Sequence, residues 1–252
     1  MISLHLEKKF RNGVTPFTLD VRYDIGDEHK CAVLFGPSGS GKSLTMQCLA
    51  GLIRPDAGHI RVGGCTLYDS AQNVSVSVQK RRIGYMFQDY ALFPHLNLLQ
   101  NVAYPRTGCW PWRMCGDERH KAQAMLERLG IGHLAAHLPS QISGGQRQRA
   151  ALARALNADP LLLLLDEPFS ALDPLLRERL REELLELISD LTIPAVIISH
   201  DPDDVDTFAG GLVLYDKGGA RTVADYAGLR SGFATAGKCL RYLQEQGGQA
   251  EA

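Results

Sequence analysis

The stretch GPSGSGKS, residues 36–43, matches the pattern GxxxxGK[ST]. Its glycines 36, 39 and 41 let the backbone curl so that N–H groups point inward at phosphate oxygens. Lys42 is then placed to neutralise β- and γ-phosphate charge, and the Ser43 hydroxyl to ligate Mg²⁺. Cleaving a bound nucleotide also needs a carboxylate to help hold the metal and a group to orient water. LLLLLDEP, residues 161–168, offers Asp166 at the end of an apolar run with Glu167 beside it. Neighbours on an extended chain point differently, so Asp166 can face the metal while Glu167 reaches the attacking water. The plainer reading of the same pair is an acidic loop after a strand. AVIISHD brings His200 to the end of another apolar run, where open α/β sheets bind ligands, although a lone histidine serves equally as a surface or capping residue. Gln88, in MFQDYALFP, follows a short apolar segment and could ligate Mg²⁺ or water. Chemistry alone does not single it out.

SGGQRQRAALARAL, residues 143–156, poses a separate question. Ser143 and Gln146 have the spacing of a capping box, which satisfies backbone N–H groups at a helix start. That leaves Gly144 and Gly145 unexplained, since glycine inside a helix costs roughly 1 kcal/mol relative to alanine. The second reading is an anion site, where a helix start stripped of side chains exposes N–H groups and the positive end of the dipole.

The elements that must position these residues follow from periodicity. Ile2, Leu4 and Leu6, then Phe17, Leu19, Val21 and Tyr23, alternate as half-buried antiparallel strands do. CAVLF at 31–35 is a continuous apolar run suited to a doubly covered parallel strand, and SLTMQCLAG reads as a helix stopped by Gly51. From about 97 to 157 the patterns are helical, with GCWPWRMCG as loop punctuation. Strands alternate with helices again afterwards, and Leu176, Leu180, Leu184, Leu187, Ile188 and Leu191 share one face of a long helix. The expectation is an α/β core with an inserted helical subdomain.

Composition bounds the partners. The chain has 252 residues, 45% hydrophobic and 22% charged, with a formal net charge of -1, which removes the basic excess expected of a nucleic-acid binder. No run approaches the roughly 18 apolar residues of a spanning helix, and MISLHLEKKF does not read as a secretory signal. A cytosolic protein reaching a membrane only through a partner is expected. Six cysteines, at 31, 48, 65, 109, 115 and 239, form no CxxC and no pairing with histidine, so reduced apolar thiols are expected rather than a metal site; Cys109 and Cys115 bracket WPWRM and could form a disulfide, but the expected intracellular setting argues against it.

Taken together, GPSGSGKS, Gln88, ISGGQ at 142–146, LLLLLDEP, SALD at 170–173 and His200 resemble the Walker A, Q-loop, signature, Walker B, D-loop and H-loop of the ATPase subunits of ABC transporters, in that family's order. The resemblance covers about residues 1–220. RRIGYMFQDYALFPHLNLLQNVAY and FTLDVRY are most similar to the molybdate branch of bacterial import ATPases. The resemblance implies a P-loop NTPase (RecA-like) core with an N-terminal antiparallel β-subdomain, a helical subdomain at about 97–157, and a short tail at 221–252.

It further implies ATP and Mg²⁺ as cofactors, with catalytic roles for Glu167, His200, Gln88 and Lys42 and metal contacts from Ser43, Gln88 and Asp166. Nucleotide contacts would come from Phe10, stacked on adenine, and from Gly36, Pro37, Ser38, Gly39, Ser40, Gly41, Lys42, Ser43 and Leu44. Ser143, Gly144, Gly145, Gln146 and Asp173 would serve the ATP bound by a second copy in a head-to-tail homodimer. By the same resemblance the chain is a Mg-dependent ATPase energising an importer of a small solute, with molybdate or a related oxyanion favoured. Its partners would be integral membrane permease subunits and, indirectly, an extracytoplasmic solute-binding protein, with no nucleic acid. It would lie at the cytoplasmic face of the inner membrane, with Tyr90, Leu92 and Phe93 either lining the groove for a permease helix or packing the helical subdomain.

Some residues depart from the family pattern. Leu44 replaces a second hydroxyl, leaving its backbone N–H for the α-phosphate; Ile142 replaces a leucine; and Phe10 lacks a tyrosine hydroxyl that stacking does not need. A C-terminal regulatory β-domain, and inhibition by substrate binding to it, are not expected. An exporter or lipoprotein-extracting ATPase shares the same engine. A soluble ABC ATPase of DNA repair or translation lacks support in the absence of a coiled-coil insertion or a second ATPase unit, and a non-enzymatic nucleotide-gated module fits poorly with Lys42, Asp166, Glu167, Gln88 and His200 all present.

Overall fold

The computed structural model describes residues 2–10, 16–26, 29–107, 114–170, 174–190 and 193–248. In chain order these form β1 (Ile2–Phe10), β2 (Phe17–Ile25), β3 (Cys31–Phe35), α1 (Lys42–Ala50), β4 (Ala57–Val62), β5 (Cys65–Asp69), β6 (Val74–Ser75), β7 (Ile83–Met86), α2 (Leu98–Thr107), α3 (Gly116–Arg128), α4 (Gly144–Asn157), β8 (Leu162–Asp166), α5 (Pro174–Asp190), β9 (Ala195–Ser199), α6 (Pro202–Phe208), β10 (Gly211–Asp216), β11 (Gly219–Val223), α7 (Tyr226–Arg230) and α8 (Ala236–Gly248). They divide into two compact units, Met1–Arg81 with Leu185–Ala252, and Arg82–Leu184.

The first unit holds an antiparallel sheet in the order β2-β1-β4-β5-β6. β1 and β2 pair from Ile2 opposite Ile25 to Phe10 opposite Phe17. As the alternation predicts, Ile2, Leu4, Leu6, Leu19, Val21, Tyr23 and Ile25 are buried, because one face of the ribbon must cover the core. The same unit contains a second set of strands, β11-β10-β3-β9, in which β3 runs parallel to both β10 and β9. All five residues of β3 and all five of β9 are buried, which explains their uninterrupted apolar sequences.

The helix α1 begins directly after the glycine-rich loop and stops at Gly51, as read from the sequence. Its C-terminal carbonyls are met by Arg81, only 3% exposed, which donates to the Cys48 and Leu49 oxygens at 2.8 and 2.7 Å and to Val76 at 2.9 Å. A guanidinium there satisfies orphan carbonyls and complements the negative end of the helix dipole.

The second unit pairs β7 with β8 in parallel and packs α2, α3 and α4 together. Asn157 on α4 donates to the Val102 carbonyl of α2 at 2.8 Å, and Arg106 on α2 donates back to the Asn157 carbonyl at 2.7 Å. This unit is wider than the helical subdomain expected at 97–157, because β7 and β8 belong with the helices. The Leu161 N–H bonds the Arg82 carbonyl at 2.7 Å, and Arg82 reaches Asp159 in the loop that leaves α4.

The expected division at 220/221 falls inside β11. Beyond it, Cys239, Leu240 and Leu243 of α8 are buried, α8 packs on α6, and Arg221 hydrogen bonds the Leu243 carbonyl. On the long helix α5, Leu180, Leu184 and Ile188 are buried, while Leu191 lies outside the described residues. The apolar-thiol reading fits Cys31, Cys48 and Cys239, with burial pushing the Cys31 thiol up to about 12 and that of Cys48 up to about 11. Cys65 and Cys115 are instead exposed, and Cys109 lies outside the described residues. Among the described residues no cluster of His, Cys, Asp and Glu could hold a metal, and no helix is long and apolar enough to cross a membrane.

Arg81→Ala is expected to strip the carbonyl end of α1 of its charged partner at a cost of roughly 3 kcal/mol. Thermal unfolding followed by circular dichroism should show a melting temperature lowered by about 5–10 °C.

Candidate functional site

In the first unit, β3 delivers the chain to Gly36, and Gly41 caps α1 in a left-handed conformation with φ 106°. Between them the loop closes on Lys42, whose ammonium donates to the Gly36 and Pro37 carbonyls at 2.8 and 2.7 Å and approaches the Ser40 hydroxyl at 3.4 Å. Lys42 is 5% exposed. The Pro37 carbonyl also accepts from the Ser40 N–H at 3.3 Å, so the loop folds back on itself around the lysine. Pro37, Ser38 and Gly39 are exposed, whereas Ser43 and Leu44 are half-buried at the start of α1.

The loop rests on the β10–β11 hairpin. Tyr215 brings its carbonyl oxygen to 2.3 Å from where a Cβ on Gly36 would stand, so no other residue fits there. At the hairpin tip, Lys217 and Gly218 adopt φ 43° and 89°, the two positive values of a tight turn that matches strand twist. The Gly218 N–H donates to the Ser40 carbonyl at 3.1 Å, and its own carbonyl accepts from Asp20 of β2 at 2.8 Å.

His200 follows β9 and is exposed. The turn behind it is fixed by the Ser199 hydroxyl, which donates to Asp204 and accepts from the Asp201 N–H at 2.9 Å, while Asp201 caps α6. A cleft of about 700 Å³ in this unit is lined by His200 together with Gly36, Pro37, Lys217, Arg221 and Gln244, so the sequence-predicted histidine and phosphate loop share one wall.

Phe10 is half-buried at the end of β1, with Phe17 across the ladder and their ring centroids 6.3 Å apart. Sequence reading treated Phe17 only as a strand residue. Its ring edge lies 3.4 Å from where a Cβ on Gly41 would stand, so it abuts the phosphate loop. The available signal was the antiparallel pairing of two flanking aromatics across a short connection.

In the second unit, β8 is buried along its length and ends at Asp166, 6% exposed. Tyr85 of β7 donates its hydroxyl to Asp166 Oδ2 at 3.0 Å. Burial first, and the Asp166 charge next, push the Tyr85 pKa far up, so it remains a protonated donor. Nothing in its spacing singles out Tyr85; it lies three residues before Gln88, on the strand that leads to that glutamine. Glu167 adopts φ 46°, a left-handed backbone that turns its carboxylate out of the strand direction, and Gln88 Nε2 donates to Glu167 Oε2 at 3.2 Å. The structure therefore gathers Gln88, Asp166 and Glu167 around one strand end. Within this unit the Asp166 and Glu167 carboxylates and the Gln88 amide oxygen are hard oxygen atoms of the kind a divalent cation takes.

The capping box at α4 is present: the Ser143 hydroxyl accepts from the Gln146 N–H at 3.3 Å, and Gln146 Oε1 from the Ser143 N–H at 2.9 Å. Gly145 is buried against Leu176 and Leu180, and a Cβ there would stand 3.3 Å from Leu180 Cδ1, so close packing accounts for that glycine. Asp173 lies outside the described residues, as do Ala171 and Leu172. Of the residues assigned to a permease groove, Leu92 and Phe93 are half-buried, but Tyr90 is only 7% exposed and lies under the surface. Phe93 stacks on Tyr104 at 4.4 Å, which favours the packing role for this aromatic pair.

Comparison with known proteins agrees with this geometry. The family model described as ABC transporter matches residues 20–170. Molybdenum import ATP-binding protein ModC 1 of Azotobacter vinelandii is 39% identical over 214 residues, 84% of this chain and 58% of that protein. The protein ModC of Rhizobium meliloti, of the same description, is 38% identical over 237 residues, 93% of this chain and 64% of that protein. The chain thus spans less than two thirds of the length of either relative. A solved dimeric, post-hydrolysis state of the ATP-binding cassette MJ0796 bound to ADP and phosphate aligns with a TM-score of 0.72 at 28% identity, over 90% of this chain and 100% of that one. The phosphate loop, the Asp166–Glu167 strand end and the capped α4 helix, in this order and this fold, belong to a chain of the ABC transporter family.

Proposed function

We propose that this chain hydrolyses ATP with Mg²⁺ as one of two identical subunits that drive a membrane importer of a small oxyanion, molybdate being favoured. The observation that carries the ATPase reading is the contact of Gln88 with the left-handed Glu167 beside the Tyr85–Asp166 pair. It puts a candidate base and a candidate metal carboxylate side by side. The relatives described as molybdenum import ATP-binding proteins support the cargo and the direction.

In this reading the N–H groups of residues 36–44 and the Lys42 ammonium hold the β- and γ-phosphates. Phe10 and Phe17 receive the adenine. The carboxylate of Glu167 accepts a proton from water as its oxygen bonds to the γ-phosphorus and the bond to the β,γ-bridging oxygen breaks. Gln88 orients Glu167 and that water, and His200 steadies the γ-phosphate. Mg²⁺, held by Ser43, Gln88 and Asp166, would neutralise charge on the phosphates. Ser143, Gly144, Gly145, Gln146 and Asp173 would complete the site of the second copy, so that ATP closes the dimer and product release opens it. The chain would thus work at the cytoplasmic face of the inner membrane, attached to permease subunits that a solute-binding protein feeds.

Three measurements test this. Glu167→Gln should lower phosphate release by a factor on the order of 10²–10⁴, while size-exclusion chromatography with ATP shows dimers accumulating; full activity would remove the base role. Phe10→Ala and Phe17→Ala should each weaken ATP binding by about two- to tenfold in equilibrium titrations, with little change in turnover at saturation. A pull-down of the tagged protein from solubilised membranes of its native cell should bring a permease with it, and its absence under conditions that preserve ATPase activity would favour the soluble class.

A further inference from the structure

The segment after Gln88 is held in an unfavourable backbone shape. Tyr90 and Ala91 are consecutive non-glycine residues with φ 64° and 44°. Side chains crowd the carbonyl in this region, so something outside the segment must impose it. The Tyr90 hydroxyl is buried and has no hydrogen-bond partner among the described residues, so the ring's own polar end does not fix the turn.

Arg154 of α4 does. One nitrogen of its guanidinium, Nη2, donates to the Tyr90 carbonyl at 2.7 Å and the other, Nη1, to the Ala91 carbonyl at 2.6 Å, one planar fork across both strained residues. The group is 9% exposed and lies 5.7 Å from the centroid of Phe93. The Asp89 carboxylate, next to Gln88, favours its charge while burial opposes it. The far end of the segment is tied separately: buried Asn101 of α2 accepts from the Phe93 N–H at 2.8 Å and donates to the Phe93, Leu96 and Asn97 carbonyls at 2.9–3.1 Å. Arg154 thus fixes the end that carries Gln88.

The helix that carries Arg154 begins at Ser143–Gln146. Arg154 stands eleven positions after Ser143, about 16 Å along the helix axis. We infer that Arg154 is a positioning residue for Gln88: its fork ties α4 to the Tyr90–Ala91 turn, so the orientation of the helix headed by Ser143–Gln146 sets how Gln88 meets Glu167. The inference rests on the proposed ATPase activity only for its turnover readout.

The test uses full-length Arg154→Lys, Arg154→Gln, Gln88→Ala and the double variant Arg154→Lys/Gln88→Ala. ATP turnover is normalised to the number of sites titrated by a fluorescent ATP analogue, and hydrogen exchange is followed across residues 88–96. Lysine keeps the charge but cannot fork, so Arg154→Lys should lower normalised turnover about ten- to hundredfold. Analogue affinity should stay within about twofold, and amide protection should fall at 90–93 alone. In the Gln88→Ala background the same change should add less than about twofold, because the residue it positions is gone. Penalties that multiply in the double variant, or exchange that rises throughout the unit, would overturn the inference. If the unaltered protein hydrolyses no ATP, the ATPase reading fails, and unchanged exchange at 90–93 in both Arg154 variants would still overturn the clamp.

Discussion

Curling the backbone tightly between β3 and α1 leaves carbonyls and chain crossings that have to be accommodated, and this requirement shapes the first unit. Lys42 is drawn down onto the Gly36 and Pro37 oxygens, Tyr215 packs its carbonyl where Gly36 has no side chain, and Gly218 donates to Ser40. The last two partners lie nearly two hundred residues downstream. They arrive because β10 is laid beside β3 in parallel, with Leu214 opposite Phe35. The parallel register is therefore a condition for the loop, just as burial of β3 on both faces is a condition for the register.

A related constraint governs the second unit, where three residues near the candidate chemistry hold backbone shapes that side chains disfavour. Glu167 leaves β8 in a left-handed conformation, and Tyr90 and Ala91 do the same after Gln88. Each costs on the order of 1–3 kcal/mol and persists only where surrounding contacts over-determine it. Here those contacts are the Gln88 hydrogen bond to Glu167 and the Arg154 fork. The strain is offset by packing elsewhere in the helices, where Asn101 and Asn157 are buried with their amides satisfied.

Much of this was legible in the sequence because it depends on local rules. Alternation located β1 and β2, continuous apolar runs located β3, β8 and β9, and Gly51 marked the end of α1. The motif residues were found because their spacing is short-range: the loop 36–43, the Asp166–Glu167 pair and the capping box at α4 each fit within a few positions. What escaped were contacts between distant segments. Tyr85, Phe17 and Arg154 look like ordinary strand and helix residues until the fold sets them against Asp166, Gly41 and the Tyr90–Ala91 turn. The expected boundary at 220/221 lies inside β11 for a similar reason, since that polar strand is recognisable only through its pairing with β10. For Tyr90 the sequence leaves groove lining and packing open, because an apolar residue in a loop gives no sign of which way the backbone turns; its burial favours packing.

The hairpin tip at Lys217–Gly218 also bears on how this chain tolerates change. A two-residue turn bearing lysine and glycine has the composition of a place where tags are inserted and where lengths drift between homologues. Here it is the far wall of the phosphate loop: lengthening it by a single residue would carry the Gly218 N–H away from Ser40 and the Gly218 carbonyl away from Asp20. A turn that looks permissive is thereby held to a fixed length, and graftable sites in this unit must be sought elsewhere, for example at the exposed end of β5 near Cys65.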